Sequence, residues 1–158
     1  LYNTFSAQFL KDLNFSCITI SPELDENGIF DLCNTPFENT ELIVYGNIPV
    51  MTINYCPLGK SNKCYKDCKR FCTSSNKYFL KDRMGFSFRI VPDNLQTIST
   101  IYNTKTTSIN FNHFNIDFAR IDILDENISE INNIIETVKN GNRFEGKNFT
   151  NGNLKREI

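Results

Sequence analysis

At 158 residues, 40% of them hydrophobic and 13% aromatic, the chain is long and apolar enough to bury one core, which excludes a disordered segment. Its 17 Lys and Arg nearly cancel 18 Asp and Glu, so a net charge of −1 excludes a uniformly basic nucleic-acid coat protein. The most apolar window, residues 41–53, is broken by Gly46, Asn47 and Pro49 short of the ~20 residues of a membrane span, and no secretory leader pattern opens at Leu1; the expectation is a soluble, cytoplasmic protein without a membrane partner.

Leu1-Tyr2-Asn3 reads as the tail of a strand. Phe5, Phe9, Leu10 and Leu13 then recur at helical spacing and predict a helix over 5–13. Residues 15–20, rich in apolar and β-branched side chains, predict a buried strand. Ser21-Pro22-Glu23-Leu24 predicts the start of a second helix, with Ser21 as cap, Pro22 at the first helical position and Glu23 at the positive end. Glu41-Leu42-Ile43-Val44-Tyr45-Gly46 predicts the next strand. Strand, helix, strand, helix, strand is the pattern of parallel βαβ units.

A cysteine-rich stretch interrupts that pattern. Beyond it, residues 77–81 and 86–91 flank Asp82-Arg83-Met84-Gly85 and predict a β-hairpin. Residues 97–103 predict a further strand. Over 115–124 a period of two places Arg120 and Asp122 on one face, opposite Ile121 and Ile123. Residues 127–140 predict a helix: Asn127 and Glu130 form a capping box, Ile128, Ile131, Ile135 and Val138 an apolar stripe, and Gly141 the stop. The tail from Asn142 is polar and Gly-rich. Sequons at Asn14, Asn127 and Asn148 are expected by chance among 22 Asn.

Four of the six cysteines, Cys56, Cys64, Cys68 and Cys72, fall within seventeen residues at the spacing C-x7-C-x3-C-x3-C. Soft thiolates this close in sequence can converge on zinc, copper(I) or an iron–sulfur cluster. The C-x2-C pair usual for zinc is absent. Cys64, Cys68 and Cys72 could share a helical face, but a continuous helix would hold the first and last α-carbons roughly 12 Å apart, too far for one ion. The backbone must bend, and a multi-iron cluster tolerates a wider ligand spread; the spacing favours iron–sulfur, with zinc as the alternative. Isolated Cys17 and Cys33 beside this bunched quartet read as reduced, intracellular thiols.

Residues 56–83 carry eight Lys or Arg against Asp67 and Asp82, a formal +6, so the remainder carries −7. Neighbouring cations favour the thiolate. The same segment interleaves Tyr55, Tyr65, Phe71, Tyr78 and Phe79, and rings for stacking beside cations for phosphates make RNA a candidate partner. A solvated lysine-rich loop around a structural zinc accounts for the same residues. The organisation expected is a βα segment over 1–54, a cysteine-rich metal loop with a β-hairpin over 55–95, and final βα units with the tail over 96–158.

These landmarks in order resemble the collagenase-like peptidase family U-32. Ser21-Pro22-Glu23-Leu24, Glu41-Leu42-Ile43-Val44-Tyr45-Gly46 followed by Pro49 and Met51, and Cys56-Pro57-Leu58-Gly59 are similar to successive family segments. So are Leu80-Lys81-Asp82-Arg83-Met84-Gly85, Ile101-Tyr102-Asn103 and Arg120-Ile121-Asp122. The likeness spans nearly all of this chain and the later half of the family's core domain. It implies part of a TIM-barrel-like α/β fold whose first strands lie in a missing N-terminal half, the implied partner. It implies a peptidase, with a peptide such as collagen as substrate, or an iron–sulfur enzyme that hydroxylates RNA bases or ubiquinone precursors. By carry-over Cys56, Cys64, Cys68 and Cys72 would hold a 4Fe-4S cluster. Tyr55 stands where many members have His, and Thr150-Asn151-Gly152-Asn153 where the family has Thr-Arg-Gly-His.

Nucleophilic proteolysis needs a base, and His113 is the only histidine. Amid Phe111, Asn112 and Phe114 it reads as a packing or surface residue, and no HExxH pair is present. Catalytic residues therefore stay unassigned. The substrate-binding candidates are Arg120 and Asp122, at a strand end, and Asp82 and Arg83, at a hairpin turn that calls for such residues anyway.

Overall fold

The computed structural model describes residues 1–35, 37, 39–59, 64, 72, 76–93 and 95–155. In chain order they form α1 (Thr4–Asp12), β1 (Ile18–Ile20), α2 (Glu26–Cys33), β2 (Thr40–Gly46), β3 (Pro49–Ile53), β4 (Tyr78–Lys81), β5 (Ser87–Asp93), β6 (Ile98–Tyr102), β7 (Thr106–Ser108), β8 (Phe118–Ile121), α3 (Ile128–Lys139) and β9 (Phe149–Thr150). The chain divides into two compact units, Leu1–Gly46 with Lys105–Ile158, and Asn47–Thr104. The architecture is mixed α/β with parallel and antiparallel pairing, and among the described residues no sheet closes into a barrel.

In the first unit β2 is the central strand. β1 and β8 both pair with it in parallel, in the registers Thr19↔Glu41 and Glu41↔Phe118. Because Glu41 has a partner on each side, β1 and β8 occupy opposite edges. β7 follows β1 along its edge, antiparallel at Tyr45↔Ser108, and β9 adds to β7. Leu1 continues this ladder: its amino group donates to the Thr19 carbonyl at 2.6 Å, and the Ser21 N–H donates to the Leu1 carbonyl at 2.8 Å. That is the parallel pattern expected of a strand tail.

Strand alternation sorts the two faces of this sheet. Ile18, Ile20, Leu42 and Val44 are buried against Ala7, Ile29 and Leu32 from the helices, with Ile109 and Phe114 completing the core. Thr19, Glu41 and Arg120 lie on the opposite face. The beginning of β8 is tied to β2 by Asp117, whose Oδ2 accepts from the Thr40 N–H at 2.7 Å and from its hydroxyl at 3.1 Å, while the Asp117 N–H donates to the Thr40 carbonyl at 3.0 Å.

Three helix expectations meet different outcomes. α3 forms with its capping box complete: Asn127 Oδ1 accepts from the Glu130 N–H at 3.0 Å, and Glu130 Oε2 from the Asn127 N–H at 2.7 Å. Gly141, at φ +68°, ends it, and a Cβ there would meet the Asn112 side chain at 2.5 Å. Its stripe centres on buried Ile134, with Ile128 exposed. α1 forms, but buries Ala7, partly covers Leu10 and leaves Phe5 (88% exposed), Phe9 (62%) and Leu13 (54%) outward. Ser21 does not cap a helix. Leu24 is drawn into the core, Ser21–Leu24 forms a turn, and α2 begins later, capped by Asp25, whose Oδ1 accepts from the Gly28 N–H at 2.8 Å.

The second unit is an antiparallel sheet in the order β3-β6-β5-β4. The expected hairpin is β4–β5, registered at Tyr78↔Ile90 and Leu80↔Phe88. Its turn is built by Asp82, whose Oδ1 accepts from the N–H groups of Met84 (2.9 Å) and Phe86 (2.8 Å), with Gly85 at φ +90°. β3, unforeseen, pairs with β6, and Ile90 and Ile101 are buried in this unit.

Asp117→Ala would leave the buried N–H and hydroxyl of Thr40 without their acceptor. The expected loss is about 1–3 kcal/mol, read as a lower urea midpoint at unchanged slope; an unmoved midpoint would show that solvent replaces the carboxylate without cost.

Candidate functional site

The open face of the parallel strands carries a connected polar row. The Thr19 hydroxyl donates to Glu41 Oε1 at 2.7 Å, Arg120 Nη1 reaches the same oxygen at 3.4 Å, and Arg120 Nε donates to Asp122 Oδ1 at 2.6 Å. β1, β2 and β8 each contribute, because period-two alternation turns their polar residues away from the helices. The hydrogen bond and charge of Asp122 hold the Arg120 guanidinium more firmly protonated than usual, burial opposes this, and Glu41 reinforces it. The side chains are 25–45% exposed, so each pair contributes only about 0–1 kcal/mol. The row's significance is positional: it runs from Glu41, near the start of β2, to Arg120 and Asp122 at the carboxyl end of β8, the end at which α/β proteins gather their sites.

Two contacts hold the strand ends. Gly46 ends β2 at φ +145°, and a Cβ there would stand 2.7 Å from both the Cβ and the carbonyl oxygen of Asp122. Only glycine lets the backbones approach this closely, and the Asp122 N–H donates to the Tyr45 carbonyl at 2.8 Å. Beside it, the buried Tyr45 hydroxyl donates to Glu126 Oε1 at 3.2 Å, while Glu126 Oε2 accepts from the N–H groups of Leu124 (2.8 Å) and Asp125 (3.0 Å). One carboxylate thereby secures the loop after β8. Burial, then the charge and hydrogen bond of Glu126 and the charge of Glu130, push the Tyr45 phenol well above its usual range.

The other expected site residues lie elsewhere. Asp82 and Arg83 belong to the second unit, where Asp82 builds the hairpin turn and Arg83 is exposed. His113 pairs with Glu26 at 2.9 Å and packs on the rings of Phe30 and Phe114.

The cysteine segment begins with a turn: the Gly59 N–H donates to the Cys56 carbonyl at 3.1 Å, and the Cys64 N–H to the Gly59 carbonyl at 3.0 Å. Consecutive bonds thus link the Cys56 and Cys64 backbones through a buried Gly59. Cys56 and Cys64 are half-buried, Cys72 is buried, and these three, with Cys17 and Cys33, are free thiols. Among the described residues no three of His, Cys, Asp and Glu stand close enough to hold a metal ion. Cys68 lies outside the described residues, as do Lys60, Lys63, Tyr65, Lys66, Lys69, Arg70 and Phe71. Sulfur donors of this kind would suit a soft centre.

The sequence placed Arg120 and Asp122 on one face but gave no sign of Thr19, Tyr45 and Glu126 as their neighbours. Glu41 carried a signal, being a charged residue within an otherwise apolar strand. No protein-family model, curated protein or solved structure matches the chain. Among the described residues, no helix is long and apolar enough to cross a membrane.

Gly46→Ala is expected to cost about 3 kcal/mol, since Asp122 backbone must move to admit the methyl group; thermal unfolding checks this, and a stable variant would disprove the close approach. Tyr45→Phe should lose about 1 kcal/mol near neutral pH. The phenol's raised pKa implies stabilisation that is complete below its unfolded value of about 10 and lost as pH rises through the higher folded value. Denaturation between neutral and strongly alkaline pH should therefore show wild type losing its advantage over Tyr45→Phe.

Proposed function

We propose that this chain is the later βα section of a cytoplasmic, barrel-type protein resembling peptidase family U-32, acting as a hydrolase on peptide substrates. The supporting observation is the polar row Thr19–Glu41–Arg120–Asp122 on the face of three parallel strands turned away from α1 and α2. A barrel interior is lined by such a face, and its chemistry gathers at the carboxyl ends of the strands. A partner section also has somewhere to dock. Leu1 opens a parallel ladder on the outer edge of β1, and Phe5, Phe9 and Leu13 expose one apolar face of α1. A preceding strand and helix from the N-terminal half of the protein would cover both.

Cys56, Cys64, Cys68 and Cys72 would hold a 4Fe-4S cluster in this reading, or zinc, supplying a redox centre or a fixed loop respectively. A second reading, an iron–sulfur enzyme hydroxylating RNA bases or a zinc-stabilised RNA-binding module, draws support from β4. There Phe79 is 56% exposed in a basic stretch, with the Arg89 guanidinium 5.9 Å from its ring centroid.

Metal analysis of anaerobically purified protein discriminates among these. Iron with sulfide and broad visible absorption, lost in Cys64→Ser, is expected for the cluster; one zinc in a colourless protein would leave the structural module. Casein or gelatin turnover by the full-length protein should fall at least tenfold in Asp122→Ala, and absence of turnover in the wild type would remove the peptidase reading.

A further inference from the structure

A cleft of about 390 Å³ opens in the first unit beside the end of β2, between the loop that precedes β7 and the tail around β9. Its size is that of a small-molecule pocket, for which the usual range is about 300–1,000 Å³. One wall is aromatic: the rings of Phe144 and Phe149 stack at 5.3 Å with 21° between their planes. Phe144 also rests edge-on against Tyr45, at 5.7 Å and 66°. Tyr45 is the buried phenol held by Glu126, so this wall is braced from behind.

The polar side of the cleft is rich in donors. Lys105 and Arg143 supply cations. The Ser108 hydroxyl oxygen accepts from the Phe144 N–H at 2.9 Å, and the Thr150 hydroxyl oxygen from the Gly152 N–H at 3.3 Å. Each hydroxyl has thus committed a lone pair to the backbone and retains its proton for donation. The carboxylate on this side, Glu145, receives both Nε and Nη2 of Arg143 on one oxygen, at 2.9 and 2.6 Å. With Glu145 70% exposed, that ion pair contributes little to stability and yields readily to a better-placed anion. The guanidinium is meanwhile held in the cleft as a planar fork suited to two oxygens of one ligand.

We propose that this cleft binds a small organic anion carrying a flat ring, its phosphate or carboxylate group held by Arg143 and Lys105 with the Ser108 and Thr150 hydroxyls, and its ring laid against Phe144 and Phe149. The formal charge of the lining is positive, whereas the chain's is −1. Lys105 and Arg143 against Glu145 make that lining charge +1, which favours an anion here. The ring supplies what an inorganic anion lacks, apolar contact with the aromatic wall. The inference does not rest on the proposed peptidase activity or on the cysteine segment.

Isothermal titration of the intact chain with phenyl phosphate, benzoate and inorganic phosphate tests it. At least one ring anion should saturate a single site with an affinity about tenfold or more above inorganic phosphate, and whichever ring anion binds more tightly identifies the acidic group. Arg143→Ala and Phe149→Ala should each weaken that binding about tenfold, about 1.4 kcal/mol. Glu145→Gln, which removes the competing carboxylate, should tighten it. Circular dichroism of each variant verifies folding, and Arg143→Lys, which keeps the charge without the fork, should fall between wild type and Arg143→Ala. Failure of both ring anions to saturate, equal binding of inorganic phosphate, or undiminished binding by folded Arg143→Ala would overturn the proposal.

Discussion

The first unit depends on β2 being paired along both edges. β1 and β8 flank it in parallel, and β7 takes over from β1 where β2 ends. A strand in this position cannot slip by one residue without exchanging Leu42 and Val44 for Glu41 and Ile43 in the core. Asp117 reinforces the register at one end, through Thr40, and the Gly46–Asp122 approach does so at the other. The polar row is a consequence of this arrangement. Once apolar residues at alternate positions are committed to the helices, Thr19, Glu41 and Arg120 have only the opposite face to occupy, and neighbouring strands bring them within hydrogen-bond reach.

Much of this was legible in the sequence because period and punctuation are local properties. The run ending at Gly46 read as a strand and is one; residues 115–124 put Arg120 and Asp122 on the same face, and they pair. The Asn127–Glu130 capping box and the Gly141 stop lie where their residue types demand, since each needs only atoms within a few residues. The β4–β5 hairpin was legible for the same reason: Asp82 and Gly85 are a turn in themselves.

What escaped depended on distant partners. Helical spacing of Phe5, Phe9 and Leu13 is real, but a helix with apolar residues on two sides does not announce which side it buries; here the side with Ala7 enters the core, where α1 packs beside α2. At Ser21-Pro22 the local signals for a helix start were present, yet burying Leu24 drew the chain into a turn and left capping to Asp25. The bond from Tyr45 to Glu126 spans eighty-one residues and had no local signature. The short strands β7 and β9 likewise have too few residues to show a period; β7 forms on the edge that β2 offers, and β9 on the edge of β7.

The connectivity explains how a long cysteine-bearing insertion is tolerated. The chain leaves the first unit at Gly46 and re-enters it at Lys105, and Gly46 pairs with Thr107, so departure and return are fastened to adjacent positions of the same sheet. Fifty-eight residues can intervene because closing a longer loop adds only slowly to the entropic cost, and because those residues bring their own four-stranded sheet with Ile90 and Ile101 buried in it. The insertion point is the carboxyl end of a parallel strand, the end at which loops carry function without disturbing the core. The cleft beside β7 joins the returning segment, through Lys105 and Ser108, to the residues around β9. Tyr45 therefore serves both sides of the strand terminus: its hydroxyl secures the loop after β8 and its ring braces the wall formed by Phe144.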